Sequence, residues 1–159
     1  MKHTISVLVE NVPGVLSRVT GLFSGRGFNI ESLCVAVTLD PTVSRMTLVT
    51  TGDEQIIEQI IKQLNKLINV IKVSDFSDVD SVEREMALIK VRADGESKAE
   101  ILRIADIFRA KVVDVSPDYY TIEITGDFNK IRAILDLLRH FQVREIARTG
   151  AVAMARSRK

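Results

Sequence analysis

The sequence has no tryptophan, a single cysteine, three prolines and two histidines, and aromatic residues make up only 5% of it. Each shortage excludes something. Cys34 alone cannot form an internal disulfide, and between Leu33 and Val35 it reads as a buried small hydrophobe. No window approaches ~18 consecutive apolar residues, so no membrane-spanning helix is expected. Met1-Lys2-His3-Thr4 leads straight into an alternating pattern, without an apolar signal core or a small-residue cleavage site. The expectation is a cytoplasmic protein. A net charge of +1 excludes a nucleic-acid binder that works by bulk electrostatics.

Catalytic templates are missing as well. His3 is read as preceding the first strand, and His140 as ending a helix beside Arg139, where a cation is ordinary capping. Neither has the neighbours a zinc site needs. Gly14, Gly21, Gly25 and Gly27 form neither a dinucleotide fingerprint nor a phosphate loop, and Ser17 and Ser24 lack a nucleophile-elbow context.

What is present is an apolar strand that breaks into a loop and restarts as a helix, Val7-Leu8-Val9-Glu10-Asn11-Val12-Pro13-Gly14-Val15-Leu16-Ser17-Arg18-Val19. Ile5, Val7 and Val9 alternate, whereas Val15, Val19, Leu22 and Phe23 recur at helical spacing, so the period changes between Glu10 and Gly14. Pro13 suits a first helical turn, Gly14 permits close approach, and Asn11 can cap or bind. A helix start with unpaired N–H groups attracts a carboxylate by ~0.3–1 kcal/mol when exposed. The same corner can also serve only as a connection between two core elements.

A hydrophobic content of 46% supports a real core, in one domain or two small ones. Strands are expected at Thr4–Val9, Phe28–Leu39, Ser44–Thr51 and Val70–Val73, with helices from Val15 to Gly25 and after Gly52-Asp53, the latter carrying the stripe Ile57, Ile60, Ile61, Leu64. This β-α-β-β-α-β order is the split βαβ of ferredoxin-like folds, and right-handed crossovers set strand order 4-1-3-2 with both helices on one face. The second strand then lies at an edge. Its uncharged run from Ser32 to Leu39 calls for cover, by a second copy of the chain or by another segment of this one.

Phe76 to Glu83 is acidic and reads as a linker whose aspartates are solvated or hold a cation. The order then repeats. Strands are expected at Met86–Val91, Lys111–Val115, Tyr119–Thr125 and Val143–Arg148, with helices over Ser97–Phe108 and Asp127 to about His140. No residue-by-residue similarity between the halves is evident. The tail, Gly150 to Ala155 and then Arg156, Arg158 and Lys159, is read as a frayed terminus or a contact for an acidic partner. RNA-recognition domains share the topology but stack bases on third-strand aromatics, and Ser44-Arg45-Met46-Thr47-Leu48-Val49-Thr50 has none.

The corner motif, continued by Gly21-Leu22-Phe23-Ser24-Gly25-Arg26-Gly27-Phe28-Asn29-Ile30-Glu31-Ser32-Leu33, strongly resembles the regulatory (small) subunit family of acetolactate synthase, or acetohydroxyacid synthase. Ser44-Arg45-Met46-Thr47, Gln63-Leu64-Asn65-Lys66-Leu67, Glu83-Arg84-Glu85, Ile107-Phe108-Arg109-Ala110 and Arg148-Thr149-Gly150 fit the same family, so the match covers essentially the whole chain. The resemblance implies an α+β protein of two ferredoxin-like βαββαβ domains. Residues 1–76 would be an ACT domain for effector binding and dimerisation, 77–83 a linker and 84–159 the C-terminal domain.

It further implies a homodimeric, non-catalytic subunit with no cofactor of its own. Its partner would be a larger catalytic subunit that uses thiamine diphosphate, Mg2+ and FAD to condense pyruvate with pyruvate or 2-oxobutyrate toward valine, leucine and isoleucine. The small subunit would raise that activity and confer feedback inhibition by valine. The expected valine site comprises Asn11, Val12, Pro13, Gly14, Val15 and Leu16 with Asn29 and Ile30 of a neighbouring copy. N–H groups near Gly14, Val15 and Leu16 would take the carboxylate, Asn11 and Asn29-Ile30 the ammonium, and Val12 and Val15 the isopropyl group. Two rival classes are an ACT sensor of another amino acid with a different partner, and a small independent enzyme.

Overall fold

A computed structural model describes residues 1–157 of the chain. They group into two compact units: Met1–Val82 with the segment from Ala151 onward, and Glu83–Gly150. In the first unit, β1 (Lys2–Glu10), α1 (Val15–Gly25), β2 (Ile30–Val37), β3 (Val43–Thr51), α2 (Glu54–Asn65) and β4 (Val70–Asp75) build a sheet of order β2-β3-β1-β4. Both pairings of β1 are antiparallel. The strand alternation and the helical stripes converge on one core: Ile5, Val7 and Val9 of β1 and Met46 and Leu48 of β3 meet Val15, Val19 and Phe23 of α1 and Ile57, Ile60 and Leu64 of α2. Burying each such side chain contributes about 1.5–3 kcal/mol.

The end of α1 shows why the Gly25-Arg26-Gly27 segment stops it. Phe28 N–H donates to the Phe23 carbonyl (2.9 Å) and Gly27 N–H to that of Ser24 (3.2 Å), with Gly27 at φ +70°. This is a Schellman cap with glycine in its left-handed position.

In the second unit, β5 (Ser81–Arg92, its first two residues counted with the first unit), α3 (Ser97–Ile107), β6 (Lys111–Val115), β7 (Tyr119–Gly126), α4 (Phe128–Leu138) and β8 (Val143–Arg148) give sheet order β6-β7-β5-β8, with a 3-10 turn at Arg139–Phe141. Its core joins Ala87, Ile89 and Val91 with Ile101, Ile104, Ile131 and Ile134.

Four sequence readings need correction. The strand expected from Met86 starts at Ser81, so the connection between β4 and β5 is shortened to residues 76–80. Phe76 is itself buried, its N–H donating to the Thr4 carbonyl, and Glu85 enters the sheet because Arg148 binds it through both carboxylate oxygens. Val152–Ala155 is a strand, β9, that pairs with β5, where a frayed tail was expected. Arg156 meets Asp80 at 3.0 Å, which ties the tail to the β4–β5 connection; Arg158 and Lys159 fall outside the described residues. His3 lies inside β1 on the face of Ile5 and Val7 and is only 4% exposed, although it was read as preceding the strand. Cys34 is half-buried and lines a groove of about 440 Å³ with Ala36, Thr47, Val152 and Met154, on the sheet face away from the helices.

Candidate functional site

At the corner between β1 and α1, Gly14 occupies the N-cap with φ +87°, and no atom lies within 4 Å of where a β-carbon would stand. Glycine is needed there for its backbone and leaves open space beside it. Pro13 therefore stands ahead of the helix, and the Asn11 side chain makes no cap bond. Asn11 ties the corner to the β2–β3 turn instead: its N–H donates to the Thr42 carbonyl (2.7 Å) and its Nδ2 to that of Pro41 (2.9 Å). Its Oδ1 remains to accept from a ligand.

Arg18 N–H donates to the Gly14 carbonyl at 3.1 Å, which opens the helical ladder. The N–H groups of Val15, Leu16 and Ser17 stand ahead of that bond at the positive end of the helix. No acidic residue occupies this first turn to compete for them. Val12 and Leu16 are 46% and 45% exposed, whereas Val15 is 3% exposed and packed in the core. Val15 can offer a ligand its backbone only, and of the two residues expected to wall an isopropyl pocket, only Val12 presents surface.

The sequence reading missed the group that braces this corner. Glu10 N–H donates to the Asn69 carbonyl (2.9 Å), Asn69 Nδ2 to Glu10 Oε2 (2.8 Å), and the Arg18 guanidinium to Asn69 Oδ1. Asn69 precedes β4, far along the chain, and no local pattern announces it.

Asn29 and Ile30 lie at the other end of the same sheet. Ile30 pairs with Thr50, while Glu10 pairs with Val43, so within one chain the two halves of the predicted site are about 20 Å apart at ~3.3 Å per residue. Asn29 is exposed, and its carbonyl accepts from the Thr50 hydroxyl at 2.7 Å. Beside it, the Thr51 hydroxyl and Lys2 hold the Glu31 carboxyl below the usual carboxylate range.

Among the described residues, no helix is long and apolar enough to cross a membrane. The family model for the "AHAS small subunit-like ACT domain" matches residues 5–72, and that for the "Small subunit of acetolactate synthase" matches residues 84–157. The chain is 57% identical to the probable acetolactate synthase small subunit of Archaeoglobus fulgidus, over 100% of this chain and 99% of that one. It is 54% identical to the acetolactate synthase small subunit of Aquifex aeolicus, over 98% of this chain and 81% of that one. The crystal structure of the acetolactate synthase small subunit from Thermotoga maritima superimposes with a TM-score of 0.89 at 48% identity, covering 100% of this chain and 99% of the other.

Proposed function

We propose a function from one premise: this chain belongs to the acetolactate synthase small-subunit family, with an ACT domain at its N-terminus and a ferredoxin-like βαββαβ fold in each half. On that premise the protein is a non-catalytic cytoplasmic regulator. Its partner is the large catalytic subunit, which carries thiamine diphosphate, Mg2+ and FAD and forms 2-acetolactate. The small subunit raises that activity and makes it sensitive to valine.

The observation that carries the reading is the Gly14 corner, with open space beside a left-handed glycine and N–H groups at the start of α1. Valine's carboxylate sits on the N–H groups of Val15 and Leu16 beside Gly14 and Pro13, its ammonium meets Asn11 Oδ1, and its isopropyl group rests on Val12. The rest comes from a second copy. β2 is the terminal strand of its sheet and carries Val35 and Val37 at 40% and 56% exposure. Antiparallel pairing of two β2 strands about a point between Leu33 and Cys34 sets the partner's Asn29 opposite Thr38. Thr38 N–H donates to the Val43 carbonyl, in the turn that also holds Asn11. A two-fold dimer therefore completes the site with the partner's Asn29 and the partner's Ile30. Because the ligand touches both copies, it can bias their packing, and ~1–3 kcal/mol of coupling suffices for regulation.

The test is reconstitution with a catalytic subunit, measuring 2-acetolactate formation with and without valine. Gly14→Asp and Gly14→Asn carry the same backbone strain, and only the aspartate places a negative charge where the carboxylate belongs. Valine inhibition should survive better in the asparagine variant and weaken in Asn29→Ala. Equal calorimetric affinity for valine in folded Gly14→Asp and in the unaltered protein would refute the placement.

A further inference from the structure

The end of the first sheet opposite the corner holds a cavity that the effector reading does not use. Its volume is about 310 Å³, and Met1, His3, Glu54, Glu58, Asp75, Ser77 and Asp78 line it over Ile57 and Ile61. His3 reaches it as the first inward-facing residue of β1.

The protonation pattern of His3 follows from its neighbours. Its Nδ1 lies 2.6 Å from Ser77 Oγ, and the Ser77 hydroxyl gives its one proton to Asp75 Oδ1, which also accepts the Ser77 N–H. Ser77 Oγ can therefore only accept from His3, which puts a proton on Nδ1, and in the neutral ring Nε2 is then the acceptor. Nε2 is buried, and among the described residues it has no hydrogen-bond partner. A buried acceptor in that state calls for a donor.

The surroundings define the donor. Glu58 is paired with Lys62 at 2.7 Å, and Lys2 lies 3.2 Å from Glu31, whereas among the described residues Glu54, Asp75 and Asp78 form no ion pair. Four carboxylates outnumber the one α-ammonium, that of Met1, among the lining residues, and this excess of negative charge disfavours anions and sets the carboxylate of an amino acid against like charge. Among the described residues, no three His, Cys, Asp or Glu side chains come close enough to hold a metal ion. The isoleucines form an apolar floor. We propose that this cavity binds a small aliphatic ammonium ion, which donates an N–H to His3 Nε2 and directs its charge at Glu54, Asp75 and Asp78. The site is separate from the valine corner and independent of it.

The full chain with 15N-labelled histidine tests this by NMR. Isobutylammonium should move the His3 Nε2 resonance saturably. Isobutyrate, of opposite charge, and tetramethylammonium, which has no N–H, should not. By calorimetry, Asp78→Asn should weaken isobutylammonium binding by roughly threefold and His3→Phe by about tenfold or more, while Gly14→Asp leaves it unchanged. Asp78 lies in an exposed turn, so that arm does not depend on the fold tolerating a change at His3. A resonance that stays in place, or responds equally to isobutyrate, overturns the proposal. So does an affinity that Asp78→Asn leaves unaltered.

Discussion

Single residues in this chain show where local pattern suffices and where it does not. The period change between Val9 and Val15 marks the corner, and Gly14 stands where the backbone turns left-handed. His3 and Asn69 were not legible in the same way, because their roles come from Ser77 and Glu10, which are distant in sequence and adjacent only after folding. Arg109 is a further case: it holds φ +52° in the cap of α3, where Ala110 N–H donates to the Ala105 carbonyl and Arg109 N–H to that of Asp106. An L side chain there costs ~1–2 kcal/mol of strain, partly offset by the smaller chain entropy of a non-glycine residue, so Arg109→Gly should stabilise the protein by roughly 0.5–1 kcal/mol in denaturant melts. Glu31 makes a prediction about pH. Its folded-state pKa is depressed, by Thr51 first and then Lys2, so its contribution to stability is present above the ordinary glutamate value and fades as pH falls through the lowered one. Thr51→Val should flatten that acid limb in stability measured against pH.

At the scale of elements, the expected strand order was correct because right-handed crossovers leave few alternatives, whereas boundaries slipped where charge misled. Glu83, the last residue of the expected linker, lies in β5 with Arg84 and Glu85, since a charged residue enters a sheet when its counter-ion does. Arg148 supplies it, and Glu85 in turn raises the Arg148 pKa. Arg148→Met should therefore cost about 2 kcal/mol or more by leaving Glu85 unpaired, read as a lowered denaturation midpoint. One likeness between the halves was overlooked in the sequence: Thr51-Gly52-Asp53 and Thr125-Gly126-Asp127 both lead from the third strand of a sheet into its second helix. Each aspartate accepts an N–H at the helix start, from Ile56 (2.9 Å) and from Lys130 (2.8 Å). Each glycine leaves room for the residue four positions on, since a β-carbon would stand 2.9 Å from Ile56 Cγ2 or 2.4 Å from Lys130 Cδ. Gly52→Ala should cost about 1–3 kcal/mol through that overlap, and Asp127→Ala about 1 kcal/mol through the lost cap, both measurable by urea titration.

For the whole molecule, the sequence conveyed two similar halves but not how the chain is divided between them. Helical and strand periods are local, whereas the allegiance of a short, small-residue segment such as Val152–Ala155 is decided by what it lies against. Ala153 is 5% exposed, and Val152 and Met154 line the groove beside Cys34. A chain ended after Gly150 should retain the fold of Glu83–Gly150 and lower the melting temperature of the first unit, with Cys34 reacting faster toward a thiol reagent. Unchanged Cys34 reactivity would mean that β9 does not shield the thiol. The interrupted first unit also sets an order of events during synthesis. Its last strand is made only after Glu83–Gly150, a stretch that takes roughly 3–14 seconds at ~5–20 residues per second. On a ribosome, the half that begins first is therefore finished last, and for those seconds the nascent chain carries its ACT sheet with the groove beside Cys34 not yet lined by Val152 and Met154.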